Sequence, residues 1–306
     1  MTTAPLQVVE EILAGFSIRA DQVTWLADGA TCRAYRIDAA GDSYCLRIQR
    51  TDVDKHFRPW VEAEIREHLL ALDLAVPRTF HLSPDGVDPW SLDAFVTGGF
   101  GERGKLSSSV CHEIGGFLAR LHTITGDGYG LLSDRVAPIR GDCGTVVSGL
   151  SSRWMKPWPF IGEPLANQAA VIAAPHLHAP LEKLSREIEA ANELLPTVLI
   201  HGDLHEQQIM IHDDRLAAIL DFGDACFLGA VWDLASFRFF HGKRCTAWMI
   251  EGYSASVADR KMLIDAAAKL AIVVALHRAN RSVIVRKGYR VEQAIDFIEE
   301  VLRELK

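Results

Sequence analysis

The chain has 306 residues, 49% of them apolar, and a formal net charge of −8. That is core material for one large or two modest domains; no uncharged apolar run reaches the eighteen residues of a membrane helix, and no basic-then-apolar start suggests a secretory leader. The acid excess argues against nucleic-acid phosphate as a partner, and six scattered cysteines (Cys32, Cys45, Cys111, Cys143, Cys226, Cys245) without a C-x-x-C spacing read as reduced thiols of a cytoplasmic protein.

In chain order, Gln22–Leu26, Cys32–Ile37 and Ser43–Ile48 read as strands, parted by turns at Asp28-Gly29-Ala30 and Ala40-Gly41-Asp42. A helix is expected from about Val61 to Leu72, with Ile65, Leu69 and Leu72 on one face, and Pro77 ends it. Thr79–Leu82 and Leu92–Thr97 read as two more strands. Next comes Gly99-Phe100-Gly101-Glu102-Arg103-Gly104-Lys105-Leu106, one residue short of a phosphate-binding Walker A loop. Leu106 stands where that loop needs a Ser or Thr hydroxyl for Mg²⁺, so the stretch reads as a linker.

Beyond it the pattern is mainly helical. Ser108–His122 carries Val110, Ile114, Phe117, Leu118 and Leu121 at helical spacing. Residues 126–160 are rich in Gly, Pro and Trp and show no clear period. Helices are expected at about Pro180–Leu194, Trp232–Phe240, Ala247–Ala255, Asp259–Arg281 and Val291–Leu305. Between the first two of these lies a strand-and-hairpin segment. Val198-Leu199-Ile200 delivers the chain to His201-Gly202-Asp203-Leu204-His205-Glu206-Gln207-Gln208. Ile209-Met210-Ile211 and Leu216–Leu220 then pair across the polar turn His212-Asp213-Asp214-Arg215. A hairpin sets the ends of its two strands side by side, so Gln208 and Asp221 should converge, with Asp203 on the loop leading in. Two carboxylates and an amide so arranged suit phosphoryl transfer: one carboxylate takes or orients the attacking hydroxyl, and the other, with the amide oxygen, holds Mg²⁺ on the nucleotide phosphates.

The signature HGDLHEQQIM, followed by ILDFGDACFLGAVWDLA, resembles the aminoglycoside phosphotransferase family, relatives of protein kinases, whose usual form is H-G-D-x-x-x-x-N. The resemblance implies an α+β, protein-kinase-like fold. Its parts would be a five-stranded antiparallel nucleotide lobe with one helix over residues 1–98, a linker at 99–107, and a mainly helical lobe with the catalytic loop and acceptor site over 108–306. It implies Asp203 as catalytic base, Gln208 and Asp221 as magnesium ligands, and His201 and Asp233 as braces of the loop. Asp224 either assists the metal or caps a turn. Gln208 stands where the family has asparagine and reaches about 1.5 Å further on standard bond lengths. Kinases grip the α- and β-phosphates with a lysine on the third strand. Arg47 holds that position here, flanked by Leu46 and Ile48, and its expected partner is Glu62, ahead of Glu64. No glycine-rich G-x-G-x-x-G loop is visible, which leaves Ala30 and Thr31 as the nearest backbone donors to the phosphates. Backbone groups of Phe95, Val96 and Thr97 would face the adenine by the same resemblance.

The expected activity is therefore ATP- or GTP-dependent phosphorylation of a small-molecule hydroxyl, most readily an antibiotic of the aminoglycoside type. Charge bears on that acceptor. The first hundred residues hold 15 acidic against 9 basic side chains, whereas the remainder is nearly balanced, 25 against 23. A polycationic drug would favour an acidic cleft, so an aminoglycoside of modest charge, such as one resembling hygromycin, a macrolide or another metabolite stays open. Gly128-Tyr129-Gly130 and the Arg47 strand resemble hygromycin-type members. Two other classes remain: a nucleotide-binding scaffold, motivated by Gln208, and a zinc hydrolase built on His201, Asp203 and His205.

Overall fold

A computed structural model describes residues 6–53 and 57–305. The chain divides into two units, Met1–Thr97 and Gly98–Lys306.

In the first unit, helix α1 (Leu6–Ala14) precedes strands β1 (Gln22–Asp28), β2 (Cys32–Ala39) and β3 (Asp42–Gln49). Helix α2 (Pro59–Ala71) and strands β4 (Thr79–Leu82) and β5 (Trp90–Ala94) complete it. The strands form one antiparallel sheet in the order β1-β2-β3-β5-β4. Alternation along β3 sends Leu46 and Ile48 to one face, where they pack with Tyr35, Ile37, Trp90 and Leu92 against Val9 and Leu13 of α1. Each fully buried Leu or Ile there contributes about 1.5–3 kcal/mol. Arg47, one residue out of phase, points to the opposite face and meets α2. Proline at its first turn starts α2, and Val61, Ile65 and Leu69 form its buried stripe. The strand expected at Leu92–Thr97 runs instead over Trp90–Ala94, because Trp90 and Ser91 pair with Ile48 and Arg47. Phe95 adds one last ladder bond, its amide donating to Ser43 O at 3.2 Å.

The second unit opens with β6 (Gly99–Phe100), paired with β10, so the stretch read as a linker begins inside a sheet. Lys105 of its Walker-like sequence pairs with its own neighbour Glu102 at 2.7 Å. Helix α3 (Ser108–Leu121) follows, capped by Ser107. The aperiodic region then yields β7 (Tyr129–Leu132), β8 (Gly141–Cys143) and α4 (Val146–Arg153), and α5 (Ala169–Ala173) and α6 (His178–Asn192) come next. Strands β9 (Thr197–Ile200), β10 (Ile209–His212), β11 (Arg215–Ile219) and β12 (Cys226–Gly229) precede α7 (Val231–Tyr253), α8 (Val257–Ile284) and α9 (Tyr289–Glu304). They make two small sheets, β11-β10-β6 and β8-β7-β12-β9. The two helices expected at 232–240 and 247–255 are halves of α7, joined at Gly242, whose φ of 78° and ψ of 175° are not helical. Helix α3 crosses the second half closely. A Cβ on Gly115 would lie 2.0 Å from Met249 O, and one on Gly252 would lie 2.1 Å from His112 O. In α8 every residue from Leu270 to Leu276 is buried, as befits a helix apolar all round and enclosed on all sides. No helix among the described residues is long and apolar enough to cross a membrane.

Candidate active site

Strand β9 is buried throughout Val198–Ile200 and pairs with β12, which fixes the point where the loop 201–208 leaves the sheet. Gly202 turns there with φ +79°, and a Cβ at that position would come within 2.6 Å of Asp224 O, so only glycine fits. Asp233, on the first turn of α7, is fully buried and clamps the loop. Its Oδ2 accepts from His201 N at 2.8 Å, its Oδ1 from Gly202 N at 2.8 Å, and Oδ2 again from His122 Nε2 at 3.2 Å. Burial alone would raise the pKa of this carboxyl. The hydrogen bond from His122, with further help from Gly202 and His201, outweighs that and holds it below the ordinary carboxylate value. Behind the loop, His201 donates from Nε2 to Leu220 O at 2.8 Å and accepts at Nδ1 from Asp203 N at 3.3 Å. Both ring nitrogens are thus committed to the backbone, and its ring lies against Phe222.

The hairpin does the rest. Ile209 pairs with Ile219, and Leu220 N donates to Gln208 O at 2.9 Å, so the residues flanking β10 and β11 are neighbours. Gln208 Nε2 donates to Asp221 Oδ2 at 3.1 Å, and the same nitrogen lies 3.2 Å from His205 Nε2. Asp221 holds a left-handed backbone, φ 58° and ψ 73°, a conformation Asp tolerates better than most residues. Asp203 stays partly open, with its side chain 24% exposed, and His205 Nε2 stands 3.8 Å from its Oδ2.

Two arginines flank Asp203 that motif reading misses. Arg153, the last residue of α4, donates from Nη2 to Gly202 O. The same nitrogen stands 3.6 Å from Asp224 Oδ2 and 3.9 Å from Asp203 Oδ1. Burial works against its charge, but Asp224 and Asp203 raise its pKa above the ordinary guanidinium value. Arg278, from α8, brings Nη1 to 3.9 Å from Asp203 Oδ1 and lies over the ring of Phe240. Neither belongs to a local motif; each arrives on a helix distant in sequence.

In the first unit, Arg47 donates from Nη1 to Glu62 Oε2 and from Nε to Asp93 Oδ2, both at 2.9 Å. Arg66 closes the square, with Nη2 2.8 Å from Glu62 Oε2 and Nη1 2.9 Å from Asp93 Oδ1. Burial opposes the charge on Arg47, and Glu62 and Asp93 raise its pKa well above the usual value. Its third nitrogen, Nη2, is buried without a hydrogen-bond partner among the described residues. Glu64 takes no part in this square. Ala30 and Thr31 sit in the β1–β2 turn, where Thr31 O accepts from Arg50 N at 2.8 Å. Phe95, Val96 and Thr97 follow β5; the amide of Phe95 is used by the sheet, and Arg36 lies 4.6 Å over its ring.

Chemically, the second unit assembles an open carboxylate, Asp203, next to Asp221, whose carboxylate takes a hydrogen bond from the Gln208 amide nitrogen. Among the described residues no three His, Cys, Asp or Glu side chains are set to hold a metal between them. The zinc reading also loses His201, whose two nitrogens are both engaged.

Comparison with known proteins matches residues 22–260 to the model of the phosphotransferase enzyme family. The chain belongs to that family. This phosphotransferase is 28% identical over 244 residues to a homoserine kinase of Granulibacter bethesdensis, covering 75% of the chain and 69% of that relative. It is 23% identical to a homoserine kinase of Methylocella silvestris over 69% of the chain, a match that spans only 61% of that relative's length. Among solved structures, a thermostable mutant of aminoglycoside phosphotransferase APH(4)-Ia in ternary complex with ADP and hygromycin B superposes with a TM-score of 0.71. The superposition covers 98% of both chains at 14% identity. The α+β, kinase-like fold of the phosphotransferase is that of these structures.

Proposed function

We propose that this phosphotransferase moves the terminal phosphoryl group of ATP or GTP to a hydroxyl of a small molecule. The observation that carries the reading is the 3.1 Å contact between Gln208 and Asp221, with Asp203 on the loop that leads into it. Asp203 accepts or orients the acceptor's hydroxyl proton, and its partial exposure leaves it within reach of one. Asp221 and Gln208 are the residues that would hold Mg²⁺. The carboxylate of Asp221 fits this ion, which takes few protein ligands and fills its shell from phosphates and water, and Gln208 would join it by turning its amide oxygen inward in place of the nitrogen that faces Asp221. Bound there, the ion would neutralise and orient the phosphates. The unpartnered Nη2 of Arg47 is the donor left for a phosphate oxygen once Glu62 and Asp93 have taken the other two. Residues 95–97 remain the proposed adenine contact, and Ala30 and Thr31 the proposed backbone contact to phosphate. Asp224 is proposed to anchor Arg153 rather than to bind metal.

Two acceptor classes compete. The fold likeness supports an antibiotic, as the hygromycin B complex illustrates. The sequence relatives support an amino-acid-sized alcohol such as homoserine. A mass-spectrometric screen for a phosphoryl gain of about 80 Da on both classes tests the reading. Transfer to at least one hydroxyl is expected, falling about 10²–10⁴-fold in Asp203→Ala. Nucleotide binding without transfer to any acceptor would replace this reading with a scaffold.

A further inference from the structure

We infer that Arg278 is the docking group for an anionic substituent of the acceptor, and that the acceptor is a compact hydroxy acid rather than a polyamine. The inference rests on Asp203 being the residue that meets the acceptor hydroxyl.

Arg278 reaches Asp203 only at 3.9 Å, beyond hydrogen-bond length, and no side chain or carbonyl among the described residues accepts a hydrogen bond from its guanidinium. Its side chain is 20% exposed, so solvent and solutes reach it. The ring of Phe240, 5.0 Å from the guanidinium carbon, fixes the plane of the group, and that ring also packs on His205. A planar fork held in place, adjacent to the proton acceptor and with its donors unspent, suits a carboxylate, which takes two parallel N–H bonds.

The surrounding charge agrees. Arg278 feels Arg290, Arg281 and Arg153 against the single carboxylate of Asp203; burial first, then those cations, lower its pKa below the ordinary guanidinium value. Asp203 is itself shared with Arg153, which also engages Asp224. Around Arg278 itself the arginines thus outnumber the carboxylates of Asp203 and Asp224, in a chain whose net charge is −8. An ammonium-rich drug would add cations to that surplus, whereas one carboxylate would relieve it. Distance agrees with a compact molecule. With Asp203 and Arg278 3.9 Å apart, a hydroxyl and an anionic group separated by few bonds, on the order of three or four at standard lengths, can meet both.

The test uses the full chain with nucleotide and Mg²⁺. Its probes are a panel of short hydroxy acids led by L-homoserine, the carboxamide of L-homoserine as a neutral match, and hygromycin B as the cationic contrast. Calorimetric binding and steady-state transfer are measured for wild type, Arg278→Gln and Arg278→Lys. Wild type is expected to prefer the acid over the amide by about 10–100-fold in both Kd and KM. In Arg278→Gln that preference collapses through a rise in the KM of the acid alone, and Arg278→Lys regains part of it. Equal use of acid and amide by wild type would overturn the inference. So would a loss in Arg278→Gln confined to kcat and equal for both probes, which would make the arginine a positioning residue for Asp203. Transfer to hygromycin B alone would discard the hydroxy acid while leaving the phosphotransferase reading intact. Failure of every hydroxy acid to bind, with transfer seen to another alcohol, would do the same; failure to bind with no transfer to any acceptor would overturn both.

Discussion

Asp233 never faces a substrate, yet it sets the shape of the loop that does. Its two oxygens take the amides of His201 and Gly202 together with the His122 ring. An asparagine keeps one acceptor oxygen but turns an NH₂ toward a backbone N–H, which strands a buried donor. Asp233→Asn should therefore cost about 3 kcal/mol at neutral pH. The pH dependence has a definite sign. A carboxyl whose folded pKa is depressed contributes stability above its unfolded value, near 3.8, and that stability fades as pH falls through the lower folded value. Urea midpoints followed from neutral pH down past 3.8 should show the acid-side slope of wild type flattened in the variant; parallel profiles would contradict the role. Arg47 makes the same point in the other unit. It serves Asp93 through Nε and Glu62 through Nη1, two donors held in one rigid plane, which a lysine's ammonium would replace with a single point charge.

At the scale of elements, the α3–α7 crossing offers the sharpest test. Gly115 and Gly252 let the two backbones approach to where no Cβ fits, so Gly115→Ala must push the helices apart. A loss of about 1–3 kcal/mol is expected in chemical unfolding, with the turnover of the protein that remains folded near that of wild type. An unchanged midpoint would mean that the crossing relaxes freely. The elements also divide by how legible they were in the sequence. The β10–β11 hairpin could be read because a polar four-residue turn separates two apolar runs, and from it followed the meeting of Gln208 and Asp221. Strand β12 escaped because its four residues are all buried and show no alternation. Helix α4 escaped among Gly and Ser residues, its start marked only by the Thr145–Ser148 capping box. With α4 went Arg153, and Arg278 was hidden for a related reason. It is one cation on a helix of 28 residues, and nothing in its neighbours tells that α8 delivers it to a loop some seventy positions earlier.

For the whole molecule, the two units each close a core of their own, and the family match runs through both. A nucleotide that binds only the folded chain must stabilise it by mass action. ADP with Mg²⁺ at a hundredfold its dissociation constant should add about 2.7 kcal/mol, readable as a higher thermal midpoint. No shift with ATP, GTP or their diphosphates would count against a nucleotide-dependent enzyme altogether.

The interruption of α7 at Gly242 has a bearing on how such a protein diversifies. Ahead of it, Asp233 ties the helix to the loop; behind it, Gly252 wedges the helix against α3. Phe240, whose ring touches both His205 and Arg278, sits two residues before the break, where the rod loses its continuity. Side chains around that aromatic can be exchanged and the local backbone re-aimed without levering on either anchorage. Selection is thereby free to alter which alcohol is admitted while the proton-handling apparatus stays as it is.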